Sequence, residues 1–300
     1  MRHSLAVLAT LLIAGAAPAS AISDEVAALA DDDFRTSWAA ARALVERSGG
    51  DSAAIRVALG RFLEERGYAI ELRKRLRRDD RGAVIDRIRQ AALLARLKER
   101  GVVVPEGMVA IPGGVAPRPL TGEPVEVAPF LIDRIEVTQA EWRRYAAETE
   151  TDGDVVREGS GRMPVVGIDR ASAERFAHWR KARLPSAEEW LIARGGCARS
   201  TYPWGDRWAK GAANALTAEG AGGPEPAVGR PEGATSLGVL RMAGNAAEWT
   251  SSSWGAPRTE RGVVAGESWL TAPGVGPVLR ATPVSSRPPS AGLRCAASVP

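Results

Sequence analysis

The placement of tryptophan constrains this chain more than any other feature. Eight of its nine tryptophans (Trp142, Trp179, Trp190, Trp204, Trp208, Trp249, Trp254 and Trp269) follow Gly101, and only Trp38 precedes it. The same stretch is rich in Gly and Pro, and its apolar runs are short, as in Val102-Val103-Val104-Pro105. Pro removes a backbone donor and Gly raises the entropy cost of order, so long helices are disfavoured there. Much of the core area must then come from large aromatics carried on short strands and turns.

The chain before Gly101 reads differently. Residues 22–101 are rich in Arg and Ala and show helical periodicity. One apolar face runs from Phe34 through Trp38 and Leu44, a second through Ile55, Leu59 and Leu63, and a third through Val84, Ile88, Ala91, Ala92, Leu94 and Leu97. Gly49-Gly50 ends the first of these helices, and Asp51 or Ser52 can cap the next. A chain of 300 residues is long enough for about two domains. The composition break and Pro105 predict a helical segment over 22–101 and a loop-rich domain over 102–300, separable near residues 101–107.

Residues 1–21 have a basic start, an apolar run from Leu5 to Ala14, and the small residues Ala19-Ser20-Ala21. This is the pattern of a cleavable secretory signal, and the run is shorter than the ~20 residues a membrane span needs. The expectation is an exported protein, periplasmic or extracellular, with no membrane span in the mature chain. The formal charge of +4 is too small for a nucleic-acid footprint. The basic run Arg73–Arg78 reads as a solvated helix face beside Asp79 and Asp80.

Two cysteines, Cys197 and Cys295, exclude four-cysteine metal sites, and in an exported chain they could form one disulfide. Of two histidines, His3 leaves with the signal, so His178 alone cannot build a three-histidine metal centre. Two capping boxes, Thr138–Glu141 and Ser186–Glu189, predict helix starts, and Asp169 predicts a third.

Several segments then match one family in order over residues 108–296. They are Met108–Gly114, Ala128–Thr138, Met163–Ile168, Arg183-Leu184-Pro185-Ser186-Ala187-Glu188-Glu189-Trp190 with Ala193–Gly196, Tyr202-Pro203-Trp204-Gly205, Ala213-Asn214, Met242–Thr250, Gly266–Trp269 and Gly292–Ala296. Together they resemble the formylglycine-generating enzymes, the sulfatase-modifying factors. The resemblance implies an α+β, C-type-lectin-like domain with little regular secondary structure. Here an all-α segment, which the resemblance does not cover, precedes it.

Oxidases of this family convert a sulfatase cysteine to formylglycine with copper held by two thiolates, and soft thiolates suit Cu(I). In this chain the motif reads Gly266-Glu267-Ser268-Trp269. The first cysteine position falls at Thr271 and the second near Gly276, so the thiolate pair is missing. Ser268, Trp269, Thr271 and Gly276 are thus degenerate active-site positions. The resemblance implies calcium at Gly244, Ala246 and Glu248, but Arg241 stands where an Asn or Asp is usual. The alternatives are a calcium site and an Arg241–Glu248 ion pair. A second calcium loop would start at Asn214, and its shortened form predicts its loss. The family partner of Cys295 falls at Ala177, which leaves either a Cys197–Cys295 bridge or two free thiols.

The function expected on these grounds is an exported, non-catalytic binding or scaffold module. It would use no cofactor other than calcium, and its partner would be another exported protein, a peptide or a glycan. The alternative is an oxidase acting on sulfatase cysteines through residues the family does not use, such as Ser268, His178 or Glu267.

Overall fold

Capping side chains set where the helices begin. In this computed structural model, which describes residues 19–47, 51–66, 81–151, 161–216, 222–254, 261–274 and 278–299, helix α1 covers Ala19–Ala28 and α2 covers Phe34–Glu46. Asp33 caps α2 by accepting from the backbone N–H groups of Arg35 and Thr36. Helices α3 (Asp51–Glu65) and α4 (Arg81–Glu99) complete the first segment. Most of the expected signal, and the basic run Arg73–Arg78, lie outside the described residues. No described helix is long and apolar enough to cross a membrane.

Strands β1 (Met108–Ile111), β2 (Gly114–Pro117), β3 (Pro124–Val127) and β4 (Phe130–Asp133) follow. Next come α5 (Gln139–Thr149), α6 (Arg170–Trp179) and α7 (Ala187–Gly195). Both predicted capping boxes form, at the starts of α5 and α7, and Asp169 caps α6. The chain closes with β5 (Ala247–Ser253), β6 (Arg261–Ala265), β7 (Leu279–Pro283), β8 (Ala291–Gly292) and β9 (Ala296–Ser298). The order β1-β4-β9 makes one sheet, β2 and β3 a hairpin, and β7-β6-β5-β8 a second sheet. This is the α+β arrangement of short strands and long connections that the sequence implied.

Helix α4 ties the two halves together. Its residues Val84, Ile85, Asp86, Ile88, Arg89 and Gln90 are all buried. Gln90 donates to the carbonyls of Ala110 (2.9 Å) and Leu237 (3.0 Å). Arg89 donates to Ser37 Oγ at 2.9 Å and to the carbonyls of Pro112 and Gly113, both at 3.2 Å. Trp38 of α2 lies flat against Gly114, where a Cβ would fall 2.5 Å from the ring. One apolar core accordingly runs from Ile22, Leu44, Ile55 and Ile88 into Ile111, Phe130, Trp190 and Met242. Leu94, expected on the third apolar face, is instead 42% exposed, because α4 turns that side to solvent.

A second core holds Trp142, Tyr145, Phe176 and Trp249. Trp142 stacks on Phe176 with centroids 5.3 Å apart, and Tyr145 meets Trp142 edge-on at 5.2 Å. Cys295 belongs to this core and Cys197 to the first. Both thiols are free and buried, so the Cys197–Cys295 bridge does not form. Burial pushes both thiol pKa values well up, which makes them poor nucleophiles.

The shared core bears on the expectation that the segments separate near residues 101–107. A fragment starting at 102 would expose the apolar surface that α4 and Trp38 cover. Expressed alone, residues 102–300 are expected to lack a cooperative thermal transition, measured by near-ultraviolet circular dichroism, whereas residues 22–300 show one. A cooperative transition in the shorter fragment would refute the shared-core account.

Candidate functional site

A tight turn positions the site. Gly244 has φ +72°, and a Cβ there would lie 2.1 Å from the Asn214 carbonyl oxygen, so the position requires Gly. Asn245 follows with φ +62° and donates its backbone N–H to Asn214 O at 2.7 Å. Its side-chain Oδ1 accepts from Glu225 N–H (2.8 Å) and Asn214 Nδ2 (3.1 Å), while Nδ2 donates to Glu136 at 2.8 Å. The Ala246 N–H also donates to Glu136, at 2.9 Å.

Glu248 is the second residue of strand β5. One carboxylate oxygen accepts from Arg294 Nε and from Trp190 Nε1, each at 2.7 Å. The other accepts from Arg294 Nη2, also at 2.7 Å. Arg294 and Glu248 are 0% and 1% exposed at their side chains. Arg294 donates in addition to the carbonyls of Asp133 and Leu240, both at 3.0 Å.

The expected Arg241–Glu248 pair is therefore not the one that forms. Arg241 instead donates to Glu225 at 3.1 Å and to the Pro226 carbonyl at 2.8 Å. Both Glu248 oxygens are engaged by Arg294 and Trp190, so Glu248 does not fit the role of calcium ligand beside Gly244 and Ala246. Among the described residues no group of three or more His, Cys, Asp or Glu is placed to hold a metal ion. Asn214, the start of the second calcium loop, is committed to Asn245 and the Gly223 carbonyl, and residues 217–221 lie outside the described residues.

The degenerate active positions form a closed turn. The Ser268 N–H donates to Thr271 Oγ1 at 3.1 Å, the Leu270 N–H donates to Ser268 Oγ at 3.2 Å, and the Trp269 N–H donates to Asn245 O at 2.9 Å. Ser268 and Trp269 are buried. Gly276 lies outside the described residues. His178 is exposed on α6, and no hydrogen bond joins it to Ser268 or Glu267 among the described residues. The three residues named for an alternative chemistry are not assembled into a relay.

Beside this turn a narrow cleft of about 10 Å³, room for little more than one water, is lined by Tyr202, Trp208, Gly244, Glu267, Thr271 and Pro273, with small residues between them. Tyr202 stacks on Trp204 at 5.3 Å, and Trp208 meets both edge-on. Trp204, expected to fill the core, is only half-buried here, because Tyr202 occupies the inner position. Glu267 is 7% exposed, and Arg194 reaches its Oε1 at 3.4 Å. Its Oε2 is buried without a hydrogen-bond partner. Burial raises the Glu267 pKa against the pull of Arg194.

Glu136 and the Glu267–Arg194 pair escaped the sequence reading. A carboxylate between the apolar residues Ile135 and Val137 is the signal that could have found Glu136. Burial, reinforced by the charge of Glu248, lifts its pKa to about 8.

With this geometry in place, the chain matches the sulfatase-modifying factor enzyme 1-like domain (FGE-sulfatase) over residues 94–299, and it belongs to that family. It is 31% identical over 179 residues to the inactive C-alpha-formylglycine-generating enzyme 2 of Mus musculus, which covers 54% of this chain and 56% of that one. It is 28% identical over 207 residues to hercynine oxygenase of Mycolicibacterium smegmatis, covering 50% of this chain and 48% of that one. The chain thus spans about half the length of the curated relatives it matches. Among solved structures, CarF aligns with TM-score 0.55 at 18% identity, over 66% of this chain and all of that one. PvdO from Pseudomonas aeruginosa aligns with TM-score 0.52 at 21% identity, over 64% of this chain and 94% of that one. Both likenesses concern the fold alone.

Two outcomes test this electrostatic account. Glu248→Ala leaves Arg294 buried and unpaired, so stability is expected to fall by about 3–5 kcal/mol in denaturant unfolding. A chelator should leave the wild-type midpoint unchanged; a chelator effect as large as the mutation would restore Glu248 as a metal ligand. For Glu136 the folded pKa lies above the ordinary 4.5. Its contribution is complete below about pH 4.5 and is lost as pH rises through about 8. Glu136→Gln cannot ionise, so the alkaline decline of the wild-type thermal midpoint is expected to flatten in that variant. An equally steep decline in both would refute the assignment.

Proposed function

We propose that this protein is an exported, non-catalytic binding module of the sulfatase-modifying factor family. The observation that carries the proposal is the cleft beside Thr271. It keeps aromatic walls and a buried carboxylate oxygen with no partner, while Thr271 stands at the first family thiol position. An unsatisfied buried acceptor costs free energy that a donor admitted to the cleft can recover. The occupant is a segment of an exported protein, a peptide or a glycan that covers the mouth of the cleft and lays an apolar face against Trp208, which is 39% exposed. The family members named inactive are in keeping with a role without turnover. The rigid, arginine-held scaffold needs no calcium in this reading, and the signal-like first segment supports export.

The rival reading, an oxidase of the formylglycine-generating type, would need a thiolate or a relay that the assembled residues do not offer. Mass spectrometry of a cysteine-containing sulfatase-motif peptide incubated with the protein and copper separates the two. The expected result is no loss of the cysteine thiol above a protein-free control. Conversion above that control, lost in Thr271→Val, would overturn the binding-module reading.

A further inference from the structure

A cavity separate from the cleft beside Thr271 opens elsewhere among the described residues. It lies at the seam between the helical segment and the rest of the chain, with a volume of about 450 Å³, within the range of small-molecule sites. Its walls come from the end of α2 at Val45, the start of α4 at Arg81, the Trp204–Asp206 turn, and the stretch Pro231–Ser236.

Its chemistry is dominated by carboxylates. Asp86 lines it and is 1% exposed. Asp86 Oδ1 accepts the Cys197 N–H at 2.9 Å and Oδ2 accepts the Ser236 hydroxyl at 2.5 Å. No ion pair joins it to any described residue. Asp206 uses Oδ1 to accept from the Thr201 N–H (3.0 Å) and hydroxyl (3.3 Å), and no hydrogen bond to Oδ2 appears among the described residues. Glu232 is exposed at the rim. The lining cation is Arg81, which donates to the Arg47 carbonyl at 3.5 Å. Trp204 adds an aromatic wall able to receive a cation.

Metal is not the cation these groups suit. Asp86, Asp206 and Glu232 do not converge on a shared point, since no metal-holding group of three forms among the described residues. Carboxylates spread along a cavity fit a ligand with charge and donors spread along its length. We propose that the seam cavity binds an extended organic cation, of the guanidinoalkyl-amine or alkyl-diamine type, with one donor end toward Asp86 and the other toward Asp206 and Glu232. This site is independent of the cleft beside Thr271. Burial raises the Asp86 pKa, and a bound cation would offset the cost of keeping that carboxylate ionised.

Calorimetric titration of residues 22–300 with agmatine tests the proposal. Wild type is expected to show saturable one-site binding, and the uncharged 1,4-butanediol none. Asp86→Asn retains both hydrogen bonds, since the amide oxygen can accept from Cys197 and the amide nitrogen can donate to Ser236 Oγ. That variant is expected to unfold at the wild-type temperature or above, yet to bind agmatine about tenfold more weakly, the loss of one charged hydrogen bond. Glu232→Gln, at the exposed rim, should weaken binding in the same direction and serves alone if Asp86→Asn fails to fold. No saturable heat in the wild type, or wild-type affinity in Glu232→Gln, overturns the proposal.

Discussion

Arg294 and Glu248 form a fully buried, bidentate ion pair, and the architecture around it depends on that pair. The guanidinium also holds the carbonyls of Asp133, at the end of β4, and Leu240, in the loop before the turn. Glu248 in turn receives the indole N–H of Trp190 from α7. Two side chains thereby tie three further parts of the chain together. A buried pair adds little net stability compared with apolar residues of the same shape, but removing one partner is costly. Its value here lies in geometry: with so little regular secondary structure, many backbone carbonyls have no ladder partner, and arginine supplies donors for them. Arg194 and Arg89 repeat the device, reaching the Met242 and Thr201 carbonyls and the Pro112 and Gly113 carbonyls respectively.

The second dependency is the seam. Gly196 adopts φ +53°, and a Cβ there would stand 1.9 Å from Asp86 Oδ2. The turn after α7 thus closes against a carboxylate from α4, and the Cys197 N–H completes the contact. The helical segment is part of the scaffold that positions α7, and α7 carries Trp190 and Arg194 to the site. A disturbance in the first segment would reach the cleft by this route.

What the sequence made legible is what short-range chemistry encodes. The capping boxes at Thr138 and Ser186 and the cap at Asp169 depend on residues three positions apart, and each formed as read. The family motifs carried the fold because their order over residues 108–296 is hard to match by chance. Ion-pair partners were not legible. Arg241 and Glu248 are close in sequence, yet Arg241 turns to Glu225 and Glu248 takes Arg294. Competition among several buried cations decides such pairings, and only the assembled core ranks them. The apolar partners of residues 22–101 were not legible for a similar reason: periodicity identifies an apolar face but not what covers it.

Arg241 also bears on the calcium question. Its backbone has φ +59° and its side chain is nearly buried, so the residue is held in an uncommon conformation by what surrounds it. What surrounds it is Glu225, itself paired with Arg230, and the Pro226 carbonyl. Glu225 also supplies the N–H that Asn245 accepts, so the guanidinium reaches the turn through a single residue. A divalent ion draws several oxygens inward to one centre, whereas a guanidinium directs planar donors outward to separate acceptors. The loop around Gly244 follows the second pattern. Its carboxylates and carbonyls are spread over several donors, and a fixed organic cation meets them without metal exchange. Arg241 thereby orders the loop through Glu225, whose N–H the Asn245 side chain accepts.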